Sequence, residues 1–331
     1  MRILLANNTL SQLAGSETWT CTLALQLKKL GHEVECFSPQ LGAISDHLAR
    51  QEIGCRDRFG KWTRSFSKIF SNWKYDVIIA NHHHIVQGLR RWFPWTPILS
   101  TVHGIIHRQK HPDGVERPAP EHPAIDSKVG RFVAVSEEVR DVLKRDFDIE
   151  AVIVRNFFDL DYLKPARGIS ERPMRILFNS NYNNPSSPEV EVIREVAAHY
   201  AAEFVPVGLN HTKVLDIRLS IDSADIVVGI GRSVLEGVAM GRLGLVHGHW
   251  GTGGVVSPQT VETLRQCNFS GRNARGRLMA PAEIVALIDR CYNPDVMGWG
   301  MDYVRKEHNV ADAANRYVQL ALELIANARA R

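Results

Sequence analysis

The sequence predicts an α/β protein of two parallel-sheet domains joined near its middle. Three observations lead there. At 331 residues the chain is long for one domain and comfortable for two. Short apolar runs alternate with amphipathic helical stretches through both halves, as in a parallel sheet with helices on both faces. The alternation stops after Asp159, in a stretch with Pro165, Gly168 and several charges, and then restarts.

In the first half, residues 2–5 read as a buried strand. Ser16 caps a helix that presents Trp19, Leu23, Ala24, Leu27 and Leu30 on one face and ends at Gly31. Strands follow at 33–37, 76–80, 98–102 and 132–135, then a helix opened by Ser136 and a short strand at 151–154. In the second half, strands are expected at 175–178, 204–207, 225–229 and 243–246. Helices are expected at 189–202, within 211–223, and at 233–240, 257–267, 280–290 and 311–328. The expected domains are therefore 1–160 and 173–308, with a linker at 161–172 and a terminal helix at 309–331.

Composition narrows the class. Hydrophobic residues at 44% and charged residues at 23% suit a soluble globular protein with a sizeable core. The five cysteines are odd in number and none has CxxC spacing, so neither a disulfide framework nor a zinc ribbon is expected. The apolar N-terminus breaks at Asn7-Asn8, too early for a signal peptide, and no run approaches the ~20 apolar residues of a membrane span. A cytoplasmic location follows as an expectation.

The net charge of +4 is unevenly spread. Between Arg56 and Lys74, six basic residues interleave with Trp62, Phe66, Ile69, Phe70 and Trp73, and a second cluster runs from Arg90 to Trp95. Basic heads with aromatic bodies suit an anionic membrane surface, which would make the protein peripheral on the inner face. A solvated amphipathic helix packed on its own domain accounts for the same pattern. Nucleic acid is not expected as a partner.

Open parallel sheets bind ligands beyond the carboxyl ends of their strands. After the first strand come Asn7-Asn8-Thr9 and Ala14-Gly15-Ser16, with no GxGxxG, which counts against a dehydrogenase. Gly15 either lets a ligand approach the helix amides or simply makes a tight turn. His82, His83 and His84 follow another strand, but adjacent residues point apart and rarely share a metal ion. His103, beside Gly104 at a strand's end, is a candidate catalytic group.

In the second half, Gly231 frees the backbone before a helix that begins with Arg232 and Ser233, where orphan amides favour an anion. Glu236 shares a helix face with Arg232 and could accept from two vicinal hydroxyls; an ordinary Arg–Glu helix pair has the same spacing. Four glycines between Gly248 and Gly254 read as a loop, either packed against a ligand or a flexible turn.

These stretches, in this order, resemble the GT-B glycosyltransferases, closest to the retaining family 4 group. The likeness rests on Leu13-Ala14-Gly15-Ser16-Glu17-Thr18-Trp19 with Leu30-Gly31-His32-Glu33-Val34; on Thr101-Val102-His103-Gly104; on Val133-Ala134-Val135-Ser136-Glu137-Glu138 leading to Val154-Arg155-Asn156-Phe157-Phe158-Asp159; and on Ala224 to Gly241. It implies two Rossmann-like domains facing each other across a cleft, with the C-terminal helix crossing back to the N-terminal domain. The implied reaction moves a sugar from a UDP- or GDP-sugar to a glycan, a lipid-linked acceptor or a small molecule, as in polysaccharide biosynthesis, with retention and without a metal or other cofactor. It implies catalytic roles for His103, at the transferred sugar, and for Gly15, beside the donor diphosphate and acceptor. It implies that Glu236 holds the ribose. Asp159-Leu160-Asp161 matches the interdomain segment of the family rather than a metal-binding DxD motif.

The chain departs from the family at two places. Val228 occupies the first position of the Glu-x7-Glu motif. The stretch 179–188 lacks the usual Arg and Lys that grip the diphosphate, with Asn181 near the Arg position. Arg232, with Gly231 and Ser233 at the helix start, is expected to supply that grip. The rival readings are a sugar-nucleotide epimerase or hydrolase, which would turn over donor without acceptor, and a non-catalytic nucleotide-sugar-binding subunit.

Overall fold

The computed structural model describes residues 1–11, 15–58, 75–105, 108–110, 116–118, 130–214 and 216–329. The chain divides into two compact units. One is Met1–Arg155 with Val310–Arg331, and the other is Asn156–Asn309.

The first unit carries β1 (Arg2–Ala6), α1 (Gly15–Lys29), β2 (Glu33–Phe37), α2 (Ala43–Arg50), β3 (Gly54–Arg56), β4 (Val77–Asn81), α3 (His83–Trp92) and β5 (Ile98–Val102). A two-stranded antiparallel ribbon, β6 (Arg108–Lys110) with β7 (Glu116–Pro118), comes next, then β8 (Arg131–Ala134), α4 (Glu137–Phe147) and β9 (Ala151–Ile153). The main sheet runs β3-β2-β1-β4-β5-β8-β9, and every pairing in it is parallel. Its central strands are buried on both faces, which explains their unbroken apolar runs. The Ser136 hydroxyl accepts from the Val139 amide and caps α4 as expected.

The second unit carries β10 (Arg175–Asn179), α5 (Pro188–His199), β11 (Glu203–Val207), α6 (Ile217–Ser223), β12 (Ile226–Gly229), α7 (Arg232–Ala239), β13 (Leu243–Gly248), β14 (Gly251–Val255), α8 (Val261–Gln266), α9 (Pro281–Cys291) and α10 (Pro294–Glu307). Its sheet runs β11-β10-β12-β13-β14, parallel except for the β13–β14 hairpin. The chain then returns to the first unit as α11 (Val310–Arg329), which packs beside α1. There the Tyr317 hydroxyl meets Thr101 Oγ1 at 3.0 Å, and its ring stands edge-on to Trp19.

Several elements differ from the sequence expectation. The glycine-rich stretch is mostly the β13–β14 hairpin rather than a loop. A Cβ on Gly253 would stand 2.9 Å from Asn273 Oδ1 and Val246 Cγ1, so that glycine allows close packing within the fold. Helices α2, α3 and α10 went unforeseen, and α8 is shorter than expected. Residues 161–172, expected as a linker, are bound into the second unit. Buried Asp225 accepts from Arg167 Nη2 at 2.9 Å and from the amides of Ser170, Met174 and Arg175. Burial pushes the Asp225 pKa up, but those bonds outweigh it and hold the carboxyl below its usual range.

Of the first basic–aromatic segment, residues 59–74 lie outside the described residues. In the second, Phe93 is buried in the core while Trp95 is 79% exposed. Among the described residues, no helix is long and apolar enough to cross a membrane.

Candidate active site

In the first unit, polar residues gather beyond the carboxyl ends of β1, β4 and β5. Gly15 opens α1, and no heavy atom among the described residues stands within 4 Å of where its Cβ would be. Among the described residues, none needs Gly15 to lack a side chain for packing. Gln12, Leu13 and Ala14 lie outside the described residues. Glu17, in the first turn of α1, is buried and accepts from the Ser16 hydroxyl at 3.0 Å; burial raises its pKa against the pull of that bond and its own amide.

His103 belongs to a directed chain of hydrogen bonds. Thr20 Oγ1 donates to the Ser16 carbonyl at 2.8 Å and so accepts from Asn81 Nδ2 at 3.1 Å. Asn81 Oδ1 is then the acceptor toward His103 Nε2, 3.0 Å away. That order puts the proton on His103 Nε2 and the lone pair on Nδ1. Trp19 packs edge-on to the imidazole, with ring centroids 5.2 Å apart. Asn81 and Thr20 are each 1% exposed, so these orienting groups are shielded from water.

The three consecutive histidines separate as their backbone positions require. His82 precedes α3 with φ +63° and puts Nε2 3.4 Å from Ser16 Oγ, while His84 Nε2 meets Asn8 Oδ1 at 2.9 Å. Burial, and secondarily the charge of His84, hold the His82 pKa below the usual value. Among the described residues, no three His, Cys, Asp or Glu side chains are arranged to hold a metal ion. Asp159 instead accepts the amides of Asp161 and Tyr162 in a turn.

In the second unit, α7 follows β12 and carries the predicted donor residues. Gly231 takes φ +56° at the cap, a backbone that disfavours other residues. Its amide donates to the Phe269 carbonyl at 2.7 Å, and the Ser233 amide to the Ile230 carbonyl at 3.2 Å. The Gly231 and Ser233 amides thus have partners in the protein.

Arg232 is likewise engaged. Nη1 donates to the Phe157 carbonyl at 2.7 Å, Nη2 lies 3.3 Å from Glu236 Oε1, and the guanidinium covers the Phe158 ring at 4.6 Å. The Arg232 and Glu236 side chains are only 13% and 16% exposed. Burial lowers the arginine pKa and raises the glutamate pKa, and their mutual attraction opposes both shifts. Arg232 therefore orients Glu236 rather than reaching outward from the helix start. Asn181 gives its side-chain oxygen to the Leu209 amide at 3.0 Å, fixing the turn after β11.

Val228 is 1% exposed and sits in the apolar core of the sheet, paired with Phe178 and Leu245 on the neighbouring strands. Gly237, next to Glu236, lets α7 lie on β12: a Cβ there would stand 2.5 Å from Val227 Cβ.

Residues 13–162 match the sequence model of Glycosyltransferase Family 4. The chain has the fold of the GT-B glycosyltransferases, and its N-terminal region carries the family 4 match. Solved structures share its fold across nearly all of its length at low identity. A glycosyltransferase from Rickettsia africae is 15% identical, with 98% of this chain and 99% of that one covered and a TM-score of 0.65. Anabaena HepE in complex with UDP-glucose is 12% identical, with 98% and 100% covered and a TM-score of 0.60. Sucrose-phosphate synthase from Thermosynechococcus elongatus is 11% identical, with 99% and 100% covered and a TM-score of 0.58. No curated protein sequence matches the chain.

Sequence reasoning singled out Gly15, His103, Asn181, Gly231, Arg232, Ser233 and Glu236. It passed over Asn81, visible only as the residue before three histidines, and over Tyr182 and Trp250, which no spacing links.

Proposed function

We propose that this protein is a glycosyltransferase that takes its sugar from a nucleoside diphosphate donor, with UDP-sugars the first choice, and that Glu236 accepts hydrogen bonds from the ribose hydroxyls. The observation that carries the reading is the Arg232–Glu236 pair. It is a nearly buried carboxylate, oriented by a guanidinium, on the helix that begins beyond the carboxyl end of β12. HepE, of the same fold, has been solved in complex with UDP-glucose, which supports the choice of nucleotide.

Cleaving the sugar–phosphate bond builds negative charge on the leaving diphosphate. The positive end of the α7 dipole faces that charge, and Arg272, close enough to His249 to add to the burial that lowers its pKa, supplies a cation in the same unit. His103, oriented by Asn81, contacts the transferred sugar, and Gly15 leaves room for the substrate. Retention of configuration and chemistry without a metal or other cofactor belong to this reading, supported by the family 4 match. The acceptor is a glycan or lipid-linked glycan. The exposed Trp95 supports contact with an anionic membrane surface.

Calorimetric titration with UDP, GDP and ADP, followed by turnover assays on the corresponding sugar nucleotides, tests the reading. One nucleotide should bind, and its sugar should be released or transferred. Binding of none would refute the nucleotide-sugar donor, and tight binding with no turnover against any acceptor would refute catalysis.

A further inference from the structure

The second unit carries an aromatic cluster that the donor reading does not use. Tyr182 follows the end of β10, and His249 and Trp250 form the turn after β13. In the sheet β12 lies between β10 and β13, so residues leaving its two neighbours meet beyond its carboxyl end. The Tyr182 and His249 ring centroids are 4.9 Å apart and those of His249 and Trp250 5.0 Å, each pair inclined at 46°. Tyr182 is 70% exposed and Trp250 38%. Two large aromatic rings kept in water at the ligand-binding edge of a sheet, and ordered against each other, mark a recognition surface.

The backbone holds the cluster in place. The Ser180 hydroxyl accepts the amides of Tyr182 and Asn183 at 3.2 Å and donates to Asn183 Oδ1 at 2.9 Å. A Cβ on Gly248 would stand 3.0 Å from Ile230 Cγ2, so the end of β13 is packed against the residues leading into α7.

We propose that Tyr182, His249 and Trp250 form a stacking platform for the pyranose ring of the donor sugar. The proposal rests on the nucleotide-sugar reading and on two further facts. First, a sugar nucleotide runs ribose, diphosphate, sugar. With the ribose at Glu236, one turn inside α7, and the diphosphate at the helix start, the sugar falls beyond Gly231, on the side where Ile230 touches Gly248. Second, Val228, on the strand that leads to this place, is buried in the sheet core and offers the sugar no polar group, so the grip has to come from other groups. Aromatic faces pack against the C–H face of a pyranose and supply it without charge.

The test compares each nucleotide with its own sugar nucleotide by titration calorimetry: UDP with UDP-glucose, UDP-galactose and UDP-N-acetylglucosamine, and GDP with GDP-mannose. The wild type should bind at least one sugar nucleotide more tightly than the bare nucleotide. The Tyr182→Ala/Trp250→Ala protein should bind the bare nucleotide unchanged and lose about tenfold on the sugar nucleotide. Tyr182→Phe/Trp250→Phe should restore most of that loss, and circular dichroism should show all variants folded. Equal loss on nucleotide and sugar nucleotide would assign the platform to the base and overturn the proposal, as would no loss at all. A wild type that binds no nucleotide would overturn the donor reading and this proposal together; one that binds nucleotides but gains nothing from any sugar would overturn this proposal alone.

Discussion

Arg232 Nη2 lies 3.3 Å from Glu236 Oε1, one helical turn along α7, and neither side chain is more than 16% exposed. The arginine also donates to the Phe157 carbonyl and covers the Phe158 ring, so the carboxylate is held from one side by a fixed cation. A carboxylate oriented in this way is preorganised for a neutral hydroxyl ligand. Replacing Arg232 with methionine leaves Glu236 buried without its counter-charge and should cost about 2–4 kcal/mol of stability. Adding Glu236→Gln should recover part of that loss. Urea denaturation of the two single variants and the double variant reads the coupling, and strict additivity would contradict it.

Gly15 tests the first unit differently. No described atom lies within 4 Å of its Cβ position, so Gly15→Leu should leave the melting temperature nearly unchanged. If the space serves substrate, activity should fall by ~10-fold or more, while UDP binding is weakened less. Full activity in the leucine variant would return Gly15 to a simple turn residue.

Asn81 positions His103 and is buried from any ligand. Asn81→Ala removes the acceptor that sets the imidazole tautomer. It should lower kcat by ~10- to 100-fold with little change in the donor KM. A purely structural role would lower the melting temperature without separating kcat from KM. Asn81→Asp keeps an acceptor at that place and should retain more activity than the alanine variant.

The fold was legible because parallel strands buried on both faces read as continuous apolar runs, as at Val77–Asn81 and Ile226–Gly229. The β13–β14 hairpin was not legible. Its glycines resemble a flexible loop in sequence, and their need for closeness to Asn273 and Val246 appears only in three dimensions. Helix α3 escaped notice because His82, His83 and His84 read as a loop. In the site, Glu236 and His103 could be found from their places after strands. The partners that give them orientation could not, since Phe157 and Phe158 lie 75 and 74 residues from Arg232, and Thr20 is 61 residues from Asn81.

Acid should destabilise the protein through its histidines. Burial is the leading cause of a lowered pKa at His32, His82, His211, His247 and His249. The unfolded chain therefore binds more protons than the folded one near the ordinary histidine pKa of about 6.5. The stability these groups contribute is present above that value and is lost as pH falls through the depressed folded values. His247, fully buried between Thr252 Oγ1 and the Glu189 carbonyl, should contribute strongly. Urea midpoints measured from pH 7.5 to 5.0 should fall, and His247→Gln should flatten the decline; a midpoint that rises over this range would contradict the assignment.

The central claim is that Glu236 holds the ribose of the donor. The most direct measurement is calorimetric binding of UDP and 2′-deoxy-UDP to the wild type and to Glu236→Ala. A hydrogen bond to a charged acceptor is worth roughly 1.5–3 kcal/mol, so the wild type should prefer UDP by about 10- to 100-fold. The variant should bind both ligands equally and weakly. A variant that keeps the wild-type preference for UDP would contradict the account.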